Sequence, residues 1–291
     1  MKIIYKDIVK YMFIYTRYFD FYRFDTHMSI GMMKKSEKDV VIVIMAGGLG
    51  KRMESDLPKV LHKINGIPML VKVLFTIKEL EKRISVSKVM VVVGKYRDVI
   101  EKTVCEYMDV DNWIQWVDQP QAMGTGHALQ CCLPFLGEFL ESNVLILSGD
   151  VPLIRVETML GLVSSCGGVR IITTHLSSPG GYGRILVSDS GDNEFMAIVE
   201  EKDCSSEQKK ITEVNGGIYC IDGLWLCKYL PLLKNENSQG EYYLTDLVGL
   251  VKDGERVSVE KFVLGVEKQY EILGVNTRQQ LLELESSSVL V

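Results

Sequence analysis

The sequence predicts an α/β fold: a doubly wound, mostly parallel sheet with a small β-rich subdomain. Three observations predict it. The run Val40-Val41-Ile42-Val43-Ile44-Met45 is continuously apolar and mostly β-branched, the pattern of a strand covered on both faces. Amphipathic helical stretches then alternate with further apolar strands, as they do in the crossover units of a parallel sheet with right-handed connections. After Ser177 this alternation gives way to short strands separated by turns.

The stretch from Met1 to Asp39 stands apart from this pattern. Its segment YKDIVKYMFIYTRYFDFYRFDTHM contains neither Gly nor Pro and shows no clear period. Charges break its apolar runs, so it does not span a bilayer. It also lacks the apolar stretch and small-residue cleavage site of a signal peptide. It is expected to be a poorly ordered extension, or an upstream stretch mistranslated ahead of a start at Met28, Met32 or Met33. A membrane-surface helix ranks third.

From Val40 onward the elements follow in order. Strands are expected at Val40–Met45, Val89–Val93, Ile114–Val117, Val144–Leu147 and Val169–Thr174. Between the first two, PMLVKVLFTIKELEKR opens with Pro68 at a favourable first-turn position and sets Leu70, Val73, Leu74, Ile77 and Leu80 on one face. RDVIEKTVCEYM repeats the pattern with Ile100, Val104 and Tyr107. GYGRILVS, FMAIVEEKD and VNGGIYCI read as strands of a β-rich insertion beside the main sheet. EYYLTDLVGLVKDG reads as a helix ended by Gly254. TRQQLLELE reads as a last helix, with Thr277 and Gln280 spaced as a capping box. There is no Pro/Ser-rich linker and no internal repeat. One domain with a subdomain is therefore expected over residues 40–285, followed by a tail over 286–291.

Composition narrows the chemistry. Of 291 residues, 47% are hydrophobic and 24% charged, which is ordinary for a soluble globular chain with a sizeable core. The net charge of −5 offers no basic excess for nucleic acid or an anionic membrane surface. Any positive charge that holds a phosphate compound must then be local. Seven cysteines form no Cys-x-x-Cys pair, and the four histidines have no metal-ligand spacing. A zinc site or disulfide framework is not expected, and a reducing cytosol fits best.

The segment IMAGGLGKRMESDLPKV (Ile44–Val60) carries the first chemical signal. Glycines let backbone N–H groups approach a ligand, while Arg52 offers planar donors and Lys59 a compact charge. Pro58 stiffens the segment that presents Lys59. A dinucleotide turn is excluded because the sixth position counted from Gly48 is Met53, and a Walker A loop because Gly50-Lys51 is followed by Arg52. What remains is a wider, cation-rich turn at the carboxyl edge of the first parallel strand, where ligands bind. A purely structural turn with solvated cations is the competing reading.

MAGGLGKRMESDLPKVLH resembles the signature of the sugar-1-phosphate nucleotidyltransferases and, more narrowly, of the bacterial N-acetylglucosamine-1-phosphate uridyltransferases. Ala46, Gly48, Gly50, Arg52, Met53, Pro58 and Lys59 match the family pattern. Gly47 replaces an Ala, a mild change at a backbone-contact position, and Lys51 replaces a Thr, which adds charge near the phosphates. The resemblance implies that Met45, Ala46, Gly47, Gly48 and Lys59 contact substrate, and that Arg52 and Lys59 serve catalysis.

Further motifs resemble the same family in order and spacing, and the resemblance runs from Val40 to about Leu284. DQPQAMGTGHAL supplies Gln119, which aligns with a family residue that reads the pyrimidine edge, while Ala122 stands where a second Gln is often found. A single amide can both donate to a uracil carbonyl and accept from the ring N–H. Gly124 and Thr125 would line the nucleotide. His127 is read as a helix-face residue with no catalytic role. In VLILSGDVPLI, Asp150 on its own reads equally as a turn organiser or as a ligand for Mg²⁺. The resemblance makes it a metal ligand and places Gly149 in the substrate site; Ser148 stands where the family often has Tyr, at the cost of a packing contact. GYGRI, IVEEKD and EVNGGIY align with segments that hold the N-acetylhexosamine, so Gly183, Glu200 and Asn215 would touch the sugar. Gly216 replaces a common Thr. NSQGEYYLTD resembles a family hallmark and is expected to form a polar turn entering a helix near the sugar. Asn276 in ILGVNTRQQL matches a second metal ligand.

The resemblance implies an enzyme that makes UDP-N-acetylglucosamine and pyrophosphate from UTP and N-acetylglucosamine-1-phosphate, with Mg²⁺ as cofactor. It further implies a cytoplasmic setting, a part in supplying precursors of peptidoglycan and lipopolysaccharide, small-molecule substrates as the only partners, and neither nucleic acid nor membrane. Family members often continue into a left-handed β-helix of hexapeptide repeats that acetylates glucosamine-1-phosphate and forms a trimer. No such repeat occurs here, so no acetyl-CoA binding is expected and a monomer or weak oligomer is. Two alternatives remain: a sibling transferase with another sugar or base, and a non-catalytic sugar-nucleotide-binding regulator. Loss of Arg52, Lys59, Asp150 or Asn276 would have marked the regulator, and all four are present.

Overall fold

Strand β1 (Val40–Met45) lies in the interior of the main sheet, and its residues explain why. Val40, Ile42 and Ile44 enter one apolar cluster, while Val41 and Val43 enter a second on the opposite face. A strand buried on both sides has no polar face to keep, so its sequence is continuously apolar. A computed structural model of the chain describes residues 38–286, except Leu49, Ser165, residues 189–192, Ser258 and the side chain of Lys51. Residues 1–37 of the expected N-terminal extension with its candidate starts at Met28, Met32 and Met33, residues 287–291 of the expected tail, and the added charge of Lys51 lie outside the described residues.

After β1 come the short pair β2 (Lys63–Ile64) and β3 (Ile67–Pro68), then helix α1 (Met69–Leu80) and β4 (Val86–Val93). Helix α2 (Arg97–Cys105), β5 (Ile114–Asp118), α3 (Thr125–Gln130), α4 (Leu133–Leu136) and β6 (Asn143–Ser148) follow. Next are α5 (Val156–Val163), β7 (Val169–His175), β8 (Arg184–Val187), β9 (Phe195–Val199) and β10 (Glu213–Asp222). The chain closes with α6 (Gly223–Tyr229), α7 (Leu244–Glu255), β11 (Val259–Leu264) and α8 (Arg278–Ser286).

The sheet runs β11-β7-β10-β6-β1-β4-β5, with β8 and β9 joined to it through β10. β1 pairs in parallel with β4 and β6, β4 with β5, and β7 with β11. β10 is antiparallel to both β6 and β7. The sheet is thus mostly parallel with helices on its faces. VNGGIYCI, expected beside the main sheet, lies within it, and only the β8–β9 hairpin projects from it. Beside β7, the Tyr219–Asp222 half of β10 pairs with β6 while Val214 pairs with β8, and the irregularity between Asn215 and Tyr219, with Gly217 at φ 71°, falls where the neighbour changes.

Two other sequence readings shift. Gly254 does not end α7 but lies inside it, because a Cβ there would fall 2.1 Å from the Tyr229 hydroxyl. The helix ends instead at Arg256, whose φ of 54° is left-handed. Pro68 sits immediately before α1 rather than in its first turn. The capping pair before α8 forms: the Gln280 side chain accepts from Thr277 N at 3.1 Å, and Gln280 N donates to Thr277 Oγ1 at 3.2 Å.

A third apolar cluster matters for the site. It joins Met53 from the glycine loop to Ile64, Met69, Val275 and Leu284. The loop after β1 is thereby packed against the turn that enters α8. No helix among the described residues is long and apolar enough to cross a membrane.

Candidate active site

The carboxyl ends of β1 and β6 are adjacent, and Gly149 N donates to Met45 O at 3.0 Å across them. Both following turns therefore open at one edge. A Cβ at Gly149 would meet Val60, Leu70 and Met45 O at 3.2–3.4 Å, so this glycine serves close packing beneath the site. In the glycine loop, Gly50 takes φ 59° and lies so near Lys59 that a Cβ would come within 2.8 Å of the Lys59 Cβ. Only glycine meets both demands cheaply. Ala46 is buried and donates its N–H to Val92 O, while Gly48 is exposed with open space where a Cβ would stand.

Lys59 begins a short 3-10 turn preceded by Pro58 at φ −51°. Its ammonium donates to Asp150 Oδ2 and, at 3.0 Å, to Asn276 Oδ1. Arg52 Nη2 donates to the same Asn276 oxygen at 3.0 Å. Four residues singled out in the sequence thus meet at one point. The second oxygen of Asp150 accepts from Ser148 Oγ at 2.5 Å. Ser148 therefore does not merely forfeit a packing contact; it orients the carboxylate. Val275 N donates to Asp150 O at 3.0 Å, which ties the two acceptor-bearing turns together.

A cavity of about 310 Å³ opens beside this cluster and is lined by Met45, Arg52, Asp150, Asn276 and Thr125 at one end. Gly183, Glu200 and Asn215 line it too, with Tyr182 and Thr245. Glu200 Oε1 accepts from Thr245 Oγ1 at 3.0 Å, so the NSQGEYYLTD turn does lead into a helix at this end of the cavity. Burial pushes the Glu200 carboxyl above its usual range; the Thr245 hydrogen bond opposes that, and the charges of Asp246, Asp203 and Glu241 add to it. The Asn215 amide donates to Tyr219 Oη at 2.6 Å and accepts from Gly217 N at 3.1 Å. Gly216 is closely packed: a Cβ there would lie 3.0 Å from Ile172 and 3.1 Å from Ile272, so a Thr would require these neighbours to give by a few tenths of an ångström.

Gln119 and Gly124 form a second group next to the glycine loop. Gln119 Nε2 donates to Gly124 O at 3.1 Å and approaches His127 Nδ1 at 3.2 Å. Gly124 takes φ 101°, and a Cβ would collide with Tyr242 O at 2.5 Å. Thr125 Oγ1 accepts from Leu244 N at 3.1 Å, which fastens this segment to the start of α7. Burial lowers the His127 pKa below the ordinary imidazole value, against a hydrogen bond with the Gln121 backbone.

Sequence reasoning passed over Tyr182, Thr245 and Arg278, and read Ser148 only as a lost packing contact. Arg278 Nε donates to Met53 O and Nη2 to Glu54 O, each at 2.9 Å, so α8 clamps the glycine loop. Its place two residues after Asn276 was the available signal.

The donor set suits a magnesium ion. One carboxylate oxygen and one amide oxygen converge on a single ammonium, which stands where a cation can be held, and Mg²⁺ takes few protein oxygens and completes its shell with water and phosphate.

Residues 42–203 match the family model of the MobA-like NTP transferase domain. The chain is 40% identical over 253 residues to "Probable UDP-N-acetylglucosamine pyrophosphorylase" of Acanthamoeba polyphaga mimivirus, covering 85% of this chain and 95% of that one. It is 43% identical over 248 residues to "Bifunctional protein GlmU" of Acinetobacter baumannii (strain AYE), covering 84% of this chain and 50% of the relative. It thus spans about half the length of that bacterial relative. The crystal structure of a "Putative Glucose-1-Phosphate Thymidylyltransferase from Bacillus anthracis" superposes with a TM-score of 0.62 at 18% identity, over 85% of this chain and 94% of that one, which speaks for the fold alone. With the family model, the viral relative and the carboxyl-edge site in agreement, this chain belongs to the MobA-like NTP transferase family and groups within it with the UDP-N-acetylglucosamine pyrophosphorylases.

Proposed function

We propose that the chain transfers the uridylyl group of UTP to N-acetylglucosamine-1-phosphate, giving UDP-N-acetylglucosamine and pyrophosphate. The observation that carries this reading is the meeting of Arg52, Lys59, Asp150 and Asn276 beside a cavity whose walls also include Glu200 and Asn215. The names of the viral and bacterial relatives support the sugar and the nucleotide.

A phosphate oxygen of the sugar-1-phosphate attacks the α-phosphorus of UTP in line. The bond from that phosphorus to the bridging oxygen of the β-phosphate breaks, and pyrophosphate leaves with the electron pair. The attacking phosphate is already nucleophilic, so the chain's work is alignment and charge stabilisation. Arg52 and the backbone N–H groups of Gly47 and Gly48 hold the triphosphate, and Lys59 neutralises charge near the reacting phosphates. Glu200 and Asn215 fix the sugar, with Gly183 beside them in the same wall, where a Cβ would crowd Ile198. Asp150 and Asn276 would hold Mg²⁺, which when bound supplies charge neutralisation between the two phosphate groups.

The reading implies small-molecule substrates and a cytoplasmic setting, where nucleoside triphosphates are at hand. It takes the chain as a monomer or weak oligomer, which sedimentation of the purified protein checks. Pyrophosphate release with Mg²⁺ tests the activity on a panel crossing UTP, CTP and dTTP with N-acetylglucosamine-, glucosamine- and glucose-1-phosphate. Release is expected to be fastest with UTP and N-acetylglucosamine-1-phosphate. Silence in every combination would instead support a protein that only binds sugar nucleotides.

A further inference from the structure

Arg184, the first residue of β8, pairs with Val199 of β9 on one side and with Val214 of β10 on the other. One residue on from each member of this row stand Gly183, Glu200 and Asn215, and all three line the cavity. Asn215 N donates to Gly183 O at 2.9 Å, which carries the pairing into that next row. Arg184 is thus the central residue of the row that supports the three residues assigned to the sugar.

Its side chain carries a charge and yet is buried, 1% exposed. A guanidinium in that setting is costly unless it is paired. Alternation along β9 turns Glu201, two residues beyond Val199, to the same face as Arg184. Arg184 Nη2 forms an ion pair with Glu201 Oε2 at 2.7 Å and lies 3.5 Å from Lys209 O, while Nη1 donates to Tyr182 O. Its Nε has no partner among the described residues. The same Glu201 oxygen accepts from Gly181 N at 3.3 Å, where the chain takes φ 87°.

These bonds are not needed to pair β8 with β9, because Ile185 and Leu186 already lie opposite Ile198 and Ala197. They act past the end of the ladder, on the turn 181–183, from which Tyr182 and Gly183 face the cavity. Neither Arg184 nor Glu201 lines the cavity itself. An apolar side chain would fill the Arg184 position without the desolvation cost, so stability alone does not account for the charge.

We propose that Arg184 and Glu201 are positioning residues for the sugar phosphate. From the face away from the cavity they hold the 181–183 turn, and so set the spacing of Gly183, Glu200 and Asn215. The inference rests on the uridylyl-transfer reading for the place of the sugar.

The test measures KM for N-acetylglucosamine-1-phosphate and for UTP separately, together with equilibrium binding of UDP-N-acetylglucosamine and of UTP. The Glu201 side chain is 31% exposed, so its variants should fold, which melting curves check. Glu201→Ala should raise the sugar-phosphate KM about tenfold, the scale of one hydrogen bond to a charged group, and leave kcat and the UTP KM within about twofold. Glu201→Gln, whose Oε1 can accept from both Arg184 and Gly181, should stay near the parent. Arg184→Lys cannot reproduce the fork that reaches Tyr182 O and Glu201 together, so where it folds it should match Glu201→Ala. A folded Glu201→Ala that raises both KM values alike, or neither, overturns the proposal. Equal losses in the Gln and Ala variants also overturn it, because charge rather than position would then be at work. If the parent binds both nucleotides without turning over substrate, the uridylyl-transfer reading fails, and the loss of UDP-N-acetylglucosamine binding relative to UTP in Glu201→Ala decides the positioning claim. A folded parent that binds neither nucleotide overturns both.

Discussion

Lys59 and Asp150, 91 positions apart in the chain, are joined by an ion pair whose ammonium also donates to Asn276 Oδ1 at 3.0 Å. One cation thus bridges both oxygens assigned to the metal. Asp150→Asn keeps the shape but removes the charge, and Lys59 retains the Asn276 oxygen. Turnover should fall at least about 100-fold, the scale of losing one preorganised electrostatic group, with only a modest change in melting temperature. Initial rates across a Mg²⁺ titration check this; near-normal rates would end the metal assignment.

Arg52 and Arg278 grip the glycine loop and its surroundings from opposite roles. Arg52→Ala should lower kcat/KM about 100-fold by removing a phosphate donor. Arg278 makes two hydrogen bonds to loop carbonyls, one of them on Glu54, whose φ is 49°. Arg278→Lys cannot reproduce that fork. It should raise the KM for UTP several-fold while kcat changes less, as steady-state kinetics with varied UTP would show.

Glu200 links function to pH. Its carboxyl is raised above the usual 4.5 first by burial, so the folded state resists its ionisation. For a raised folded-state pKa, the favourable contribution is full below the unfolded value and disappears as pH rises through the folded value. Glu200→Gln, which can still accept from Thr245, should therefore melt higher than the parent at pH 7. That gain should vanish as pH falls below the ordinary carboxylate range. The same variant should bind sugar phosphate less well, which KM for N-acetylglucosamine-1-phosphate measures.

Gly254 and Arg256 separate two roles that sequence alone confused. Ala is the better helix former, but a methyl at 254 meets the Tyr229 ring, and Tyr229 is only 7% exposed and cannot readily withdraw. Overpacking should win, costing about 1–3 kcal/mol. Arg256→Gly relieves a left-handed residue and should stabilise by about 1 kcal/mol. Chemical denaturation of both variants reads the two signs.

These contrasts show where the sequence is legible. The strands β1, β4, β5, β6 and β7 and the motifs of the loops follow from local patterns, because residues that meet at a parallel sheet's edge lie at strand ends and announce themselves as short motifs. The insertion of β10 between β6 and β7 depends on partners far along the chain and on a bulge with no periodic signal. The Gly254–Tyr229 approach and the Arg278 clamp are likewise long-range contacts. Ser148 and Gly216 looked like losses against the family pattern. Each acquires its meaning from neighbours: a carboxylate to orient, and two isoleucines packed close around the glycine.

The central claim is that this site joins UTP to N-acetylglucosamine-1-phosphate through residues converging on Asp150 and Asn276. Mass-spectrometric analysis of the products formed with Mg²⁺ by the parent chain and by Asp150→Asn, run side by side, tests it most directly. UDP-N-acetylglucosamine and pyrophosphate are expected in equal amounts from the parent, and neither above background from the variant. Equal product from both proteins, or none from a folded parent, would contradict it.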